Sequence, residues 1–297
     1  MDIAELAAQR PGNIEEALDA MRKGLHFYHD THDRRAIFLR LYYMMTLEVY
    51  AAIHGCRDYK GRTIFMDPGW IYRLSGRFST LYFESLVAPA DDRAWQIAHR
   101  VAEQPGSSVI QNALLGINAH INFDLPRAIA TNLDPAELPN YEIMQKRKFD
   151  HDQVNNLLVR TVNPVQRVLA KNYEPGIGVV DKVLGGYDER ACGWLLRTYR
   201  ERVWWNALSF AAAKPGVEQT IVRNKLEWES NQLAKSLRRS RMWWAERAVN
   251  RATRVVIRRD WTAIPLERRC HDHRNDPLPA GPPDRPLGEI GCSAQGA

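Results

Sequence analysis

The segment from Gln104 to Pro126 constrains the fold more than any other, because across it only Asp124 carries a formal charge. Ile110, Leu114, Ile117, Ile121 and Leu125 recur at helical spacing, and Leu115, Ala119 and Phe123 make the opposite side apolar too. A helix that is apolar all round is buried. It needs other helices to cover it, and the rest of the chain supplies them. Asn13, with Glu16 three residues on, reads as an N-cap and capping box opening an amphipathic helix through Ile14, Leu18, Met21, Leu25 and Tyr28. Further helices are expected over 34–54, 69–87, from an Asp91 or Asp92 cap to 103, and from a Ser107-Ser108 cap to 125, where Pro126 should end or kink the helix. Others follow over 141–171, bent at Pro164, then 187–213 and 217–260. Neither a period-2 strand nor an internal repeat is found. The expectation is one all-α domain over 1–265, a single bundle of about seven to nine helices around a buried central one. A tail over 266–297, with Pro277, Pro279, Pro282, Pro283 and Pro286 and few large apolar residues, is expected to be disordered.

Composition excludes other classes. With 45% apolar and 26% charged residues in 297, the chain is neither disordered in bulk nor collagen-like. A net charge of +6 is too small to assign a nucleic-acid or membrane partner by itself. The four cysteines, Cys56, Cys192, Cys270 and Cys292, form no C-x-x-C pair and suit a reducing compartment. No apolar h-region follows Met1, and no stretch of about 18 apolar residues reads as a transmembrane helix. The expected location is cytoplasmic.

The buried helix also carries Gln111, Asn112, Asn118, His120, Asn122 and Asp124. Helical spacing puts His120 and Asp124 on one flank and Gln111, Asn118 and Asn122 on the other. Unpaired amides cost about 1–3 kcal/mol to bury and carboxylates far more, so these groups must be partnered, bound to metal or lining a wet cavity. His-x-x-x-Asp can present one nitrogen and one oxygen to a metal ion, or act as a base with its orienting carboxylate. A structural His–Asp bond is the third alternative.

Partners are sought elsewhere. Glu48 is the single charge from Leu41 to His54, which suggests a second buried carboxylate. In the polar run from Asp150 to Asn156, Asp152 and Asn156 share one face and His151 and Asn155 another. His26, His29, Asp30, His32 and Asp33 are either further ligands or a cluster suited to a helix C-terminus. Lys235, Arg238, Arg239, Arg241, Arg247, Arg251, Arg254, Arg258 and Arg259 face only Glu246 and Asp260, with Trp243 and Trp244 in the run. They form a solvated face or a contact for nucleic acid or an anionic membrane surface. Gly176-Ile177-Gly178 is no dinucleotide fingerprint, and no nucleotide-cofactor motif is present.

The run Leu115-Gly116-Ile117-Asn118-Ala119-His120-Ile121-Asn122-Phe123-Asp124-Leu125, with Asp152-x-x-Asn155 as a second block, resembles the signature of a bacterial family, domain of unknown function family 5995. The resemblance covers about residues 15–210 and implies an all-helical intracellular protein without an assigned reaction. His120 and Asp124 are also distantly similar to the His-x-x-x-Asp pair of helical zinc phosphoesterases. The sequence lacks their N-terminal ligand and a further His after Asp124.

The leading expectation is a metal-dependent hydrolase acting on an ester or phosphoester. Its catalytic residues would be His120, Asp124, Glu48 and Asp152, its metal ligands His120, Asp124 and Asp152, and its substrate-binding residues Asn118, Asn122 and Asn155. The cofactor would be a divalent Zn, Mg, Mn or Fe ion. One alternative is a metal-independent cyclase or lyase on a partly apolar small molecule, with His120 and Asp124 as acid–base pair. The other is a binding protein using the basic helix.

Overall fold

A computed structural model describes the backbone over 1–56, 59–87, 93–104, 107–173 and 189–239, and side chains over 1–56, 59–87, 93–104, 107–158, 161 and 200–239. Among these residues all regular structure is helical. The helices are α1 (Ile3–Ala7), α2 (Ile14–Asp30), α3 (Ala36–Ile53), α4 (Pro68–Ser85), α5 (Arg93–Ala102), α6 (Val109–Ala119), α7 (Leu125–Asn132), α8 (Tyr141–Tyr173), α9 (Glu189–Ala212) and α10 (Val217–Arg239). One π-turn, His120–Asp124, joins α6 to α7.

Local chemistry sets the helix starts. The Asn13 side chain accepts from the N–H groups of Glu15 and Glu16, while Glu16 reaches back to the Gly12 N–H rather than to Asn13's own. Asp67 accepts from the Trp70 N–H ahead of Pro68, and Ser108 accepts from the Gln111 N–H. The Asp91 and Asp92 caps, the Gly176 segment, the basic run beyond Arg239 and the Pro-rich tail lie outside the described residues.

The α6–π–α7 rod is the axis of the bundle. α3, α5 and α10 pack around α6, while α4 and α9 pack on α7; α2 lies on α3 and α4, and α8 on α3 and α9. The buried face of the rod is not the expected stripe. Ile110, Leu114, Ile117 and Ile121 are half-buried, whereas Leu115, Ala119 and Phe123 are fully enclosed. α3 is long and apolar enough to cross a membrane by length and composition, with a mean hydropathy of 1.3, but 72% of it is buried inside the bundle. Three residues past α3, Cys56 is disulfide-bonded. Cys56 is therefore not the free thiol expected from the sequence; the side chains of Cys192, Cys270 and Cys292 lie outside the described residues.

α4 approaches the start of α2 so closely that only glycine fits at position 76. A Cβ there would lie 2.2 Å from the Asn13 nitrogen and 2.3 Å from the Gly12 carbonyl carbon. Both are backbone atoms, so the helices must separate. Gly76→Ala is expected to cost about 2–3 kcal/mol, as overpacking does. At Gly24 the clash falls on the flexible Leu39 and Leu6 methyls, so Gly24→Ala is expected to cost less. Urea unfolding of the two variants checks the order.

Candidate active site at the central helix

Pro126 has no N–H to donate and its ring crowds the carbonyl four residues back. The chain answers with a wider turn rather than the expected end or kink: the Leu125 N–H reaches the His120 carbonyl, five residues back, and the helix continues to Asn132. Such π-turns recur at functional sites. This one carries His120 and Asp124 at its two ends.

Asp124 is fully enclosed and both its oxygens are engaged. Oδ2 accepts from Trp95 Nε1 at 2.9 Å and lies 3.1 Å from His120 Nδ1; Oδ1 accepts from Arg127 Nη2 at 2.7 Å. Arg127 also donates to the Phe123 carbonyl and lies over the Phe123 ring at 3.9 Å. The His120 ring stacks on Phe78, with centroids 3.5 Å apart and planes within 9°, and meets the edge of Tyr42 at 4.2 Å. Phe38, Trp95 and Tyr82 complete the box. Burial lowers the His120 pKa against the pull of Asp124, so the imidazole is neutral at pH 7. A neutral ring bonded to a carboxylate through Nδ1 carries its proton there. Nε2 then holds the lone pair, and it is buried without a partner.

Behind Trp95 a cleft lined by Arg34, Arg35, Phe38, His99 and Asn112 has room for about one water. His99 stacks on Trp95 and sits 3.1 Å from the Ser85 hydroxyl.

The amide flank has another role. Asn118 Nδ2 donates to the Ser230 carbonyl at 2.8 Å, and Gln111 Nε2 to the Leu237 carbonyl at 3.1 Å. Asn122 donates to Asn118 at 3.0 Å. The three expected amides thus line up, but two of them clamp α10 along the central rod. Of the substrate-binding candidates on this rod, only Asn122, whose Oδ1 has no partner, retains a free acceptor.

The other candidates lie elsewhere. Glu48 is half-buried and accepts from the Tyr59 hydroxyl at 2.8 Å. Asp152 is partly exposed and paired with Lys148 at 2.6 Å, and Lys148 also reaches Glu201. Asp150, buried beside it, accepts from the Met66 and Asp67 N–H groups. Asn155 is buried one turn from His151. His29 is buried while His26 and His32 are exposed. Trp204 is core and Trp205 is exposed. Lys235, Arg238 and Arg239 belong to α10; the remainder of the basic run lies outside the described residues.

A divalent metal does not fit the expected ligands. His120, Asp124 and Asp152 do not converge, and no three His, Cys, Asp or Glu side chains do so among the described residues. Both oxygens of Asp124 already face donors, one of them a guanidinium whose charge opposes a cation. Sequence reasoning missed Trp95, Arg127, Phe78 and Tyr42. Arg127 was readable, since a cation three residues past a buried acid is its nearest counter-ion; Trp95 and Phe78 reach the site from other helices.

Residues 14–240 match the model of a family described as a family of unknown function (DUF5995). The match extends through α10, past the stretch carried by the motifs. No curated protein and no solved structure matches the chain.

Proposed function

The chain belongs to domain of unknown function family 5995, and from the geometry of its central site we propose that it is a metal-independent acid–base enzyme of the lyase or cyclase type, acting on a small, largely apolar substrate. One observation carries the reading: His120 Nε2 is buried, unpartnered and aimed out of an imidazole whose other nitrogen is held by Asp124. This is the arrangement of a general base with its orienting carboxylate. Nε2 would take a proton from substrate and return it to the leaving or cyclised atom. Asp124 would stabilise the imidazolium in between, and Trp95 and Arg127 would keep Asp124 in place. The walls from Phe38, Tyr42 and Phe78 suit an apolar substrate. Phe78 is half-buried and covers His120, so its ring must turn aside to admit one.

The test is solvent-deuterium exchange. Wild type and His120→Gln are incubated in D2O with a panel of isoprenoid alcohols, aryl esters and apolar hydroxy acids, and products are weighed by mass spectrometry. Exchange or turnover by wild type, reduced about 100-fold or more in His120→Gln at unchanged secondary structure, supports the reading. Activity indifferent to His120 overturns it. A stoichiometric metal in protein purified without chelator, lost in Asp124→Asn, would favour the metal-dependent hydrolase instead.

A further inference from the structure

Arg200 on α9 is 4% exposed. Its Nη2 donates to His151 Nδ1 at 3.2 Å and to the His151 carbonyl at 3.1 Å, while His151 Nε2 lies 3.2 Å from the Arg200 carbonyl. A guanidinium only donates, so His151 Nδ1 must accept, and the ring is neutral with its proton on Nε2. Burial and the Arg200 charge both push the His151 pKa well down, which agrees. His151 therefore gives Arg200 no negative charge. Nor does any carboxylate among the described residues lie within ion-pair distance of it. The two acids in sequence beside the pair, Asp152 and Glu201, are both tied to Lys148; Asp152 attracts the Arg200 charge from a distance, but burial outweighs it and lowers the guanidinium pKa to about 10. Arg200 Nε is buried with no hydrogen-bond partner at all. One turn along α8 from His151, Asn155 Oδ1 is likewise buried and unpartnered.

A buried charge persists only when it is paired, since desolvation costs several kcal/mol per ion. An ordered water would satisfy Nε but leave the charge. We propose that Arg200, between α8 and α9, is the anchor of a binding site for a small oxyanion, a carboxylate or a phosphate, which supplies the direct counter-charge that no described residue gives it. Oxyanions suit it because the guanidinium presents directed N–H donors that match carboxylate and phosphate oxygens. The site is separate from His120 and stands whether or not His120 is a base.

The test is thermal unfolding of the full-length protein in sodium phosphate, sodium acetate and sodium chloride at matched ionic strength. At about ten times the dissociation constant, a bound oxyanion should raise Tm by about 3–5 °C over chloride. A rise with phosphate alone identifies a phosphate ligand, and one with acetate alone a carboxylate; either supports the site. Arg200→Met removes the charge and keeps length. It should be at least as stable as wild type in buffer without these anions and should lose the phosphate or acetate response. Should it fail to fold, Arg200→Lys keeps the charge but not the Nε donor and should weaken the response about tenfold. Phosphate and acetate that merely track chloride in wild type, or a variant that folds and responds as wild type does, would overturn the proposal.

Discussion

Between pH 6.5 and 5 the folded state is expected to lose stability steeply, by about 3–4 kcal/mol per pH unit at most. Burial lowers the pKa of His29 and His99 to about 4, and holds His120 and His151 below the ordinary value. All four are neutral at pH 7 when folded and take up their protons at a lower pH than the unfolded chain, which protonates them near 6.5. The unfolded state therefore binds more protons, and stability is complete above that pH and lost as the pH falls toward 4. Asp150 acts in the opposite sense. Burial pushes its pKa up to about 6, so the folded state keeps a proton that the unfolded chain releases above about 4, which offsets roughly one histidine. A domain with a stability of about 5–15 kcal/mol should then be largely unfolded near pH 4. Urea titrations at pH 7.5, 6.5, 5.5 and 5.0 check the slope; equal midpoints across that range would contradict it. His151→Gln should flatten the slope by about one proton.

Asp124→Asn is expected to cost about 3–5 kcal/mol, the usual result of breaking a buried charge pair from one side. The amide must turn an NH2 toward either Arg127 or the Trp95–His120 pair, donor against donor. The Arg127 side chain is 17% exposed and can swing toward water, which favours the lower half of that range. In an Arg127→Met background the same substitution leaves no orphaned cation and should cost at least about 1 kcal/mol less. A Tm drop of about 6–15 °C for the single variant is the measurement. A drop of less than about 2 °C would mean that Asp124 does not hold these three partners.

Much of this architecture was readable before any coordinates. Asn13 and Ser108 cap because each is a short polar side chain just ahead of an apolar periodic run. The two flanks of the central helix sorted correctly, because side-chain direction follows from helical geometry. What each flank touches did not follow, since Ser230 and Leu237 come from more than a hundred residues away. Glu48 misled because isolation among apolar neighbours was equated with burial; it lies near the end of α3, where Tyr59 can reach it. Asp152 misled in the opposite way, since Lys148 stands four residues before it and signals a surface pair. Pro126 signals an end or a kink by its missing N–H, but a helix also has the option of widening ahead of a proline.

That widening sets a phase. A π-turn amounts to an α-helix with one residue inserted, so everything after Asp124 is rotated relative to a continuous α-helix by about 100°. The rotation decides which side of α7 meets α9 and α4, and whether Arg127 points back at Asp124. Deleting the half-buried Ile121 would remove little apolar surface, yet it would turn Ala128 and Ile129 out of their enclosed positions. A substitution between Gly116 and Ile129 disturbs the contacts of one side chain, whereas a change in the length of this stretch re-phases every residue after it. Sequences that share this bundle should therefore align through it without a gap, even where the side chains around His120 have diverged.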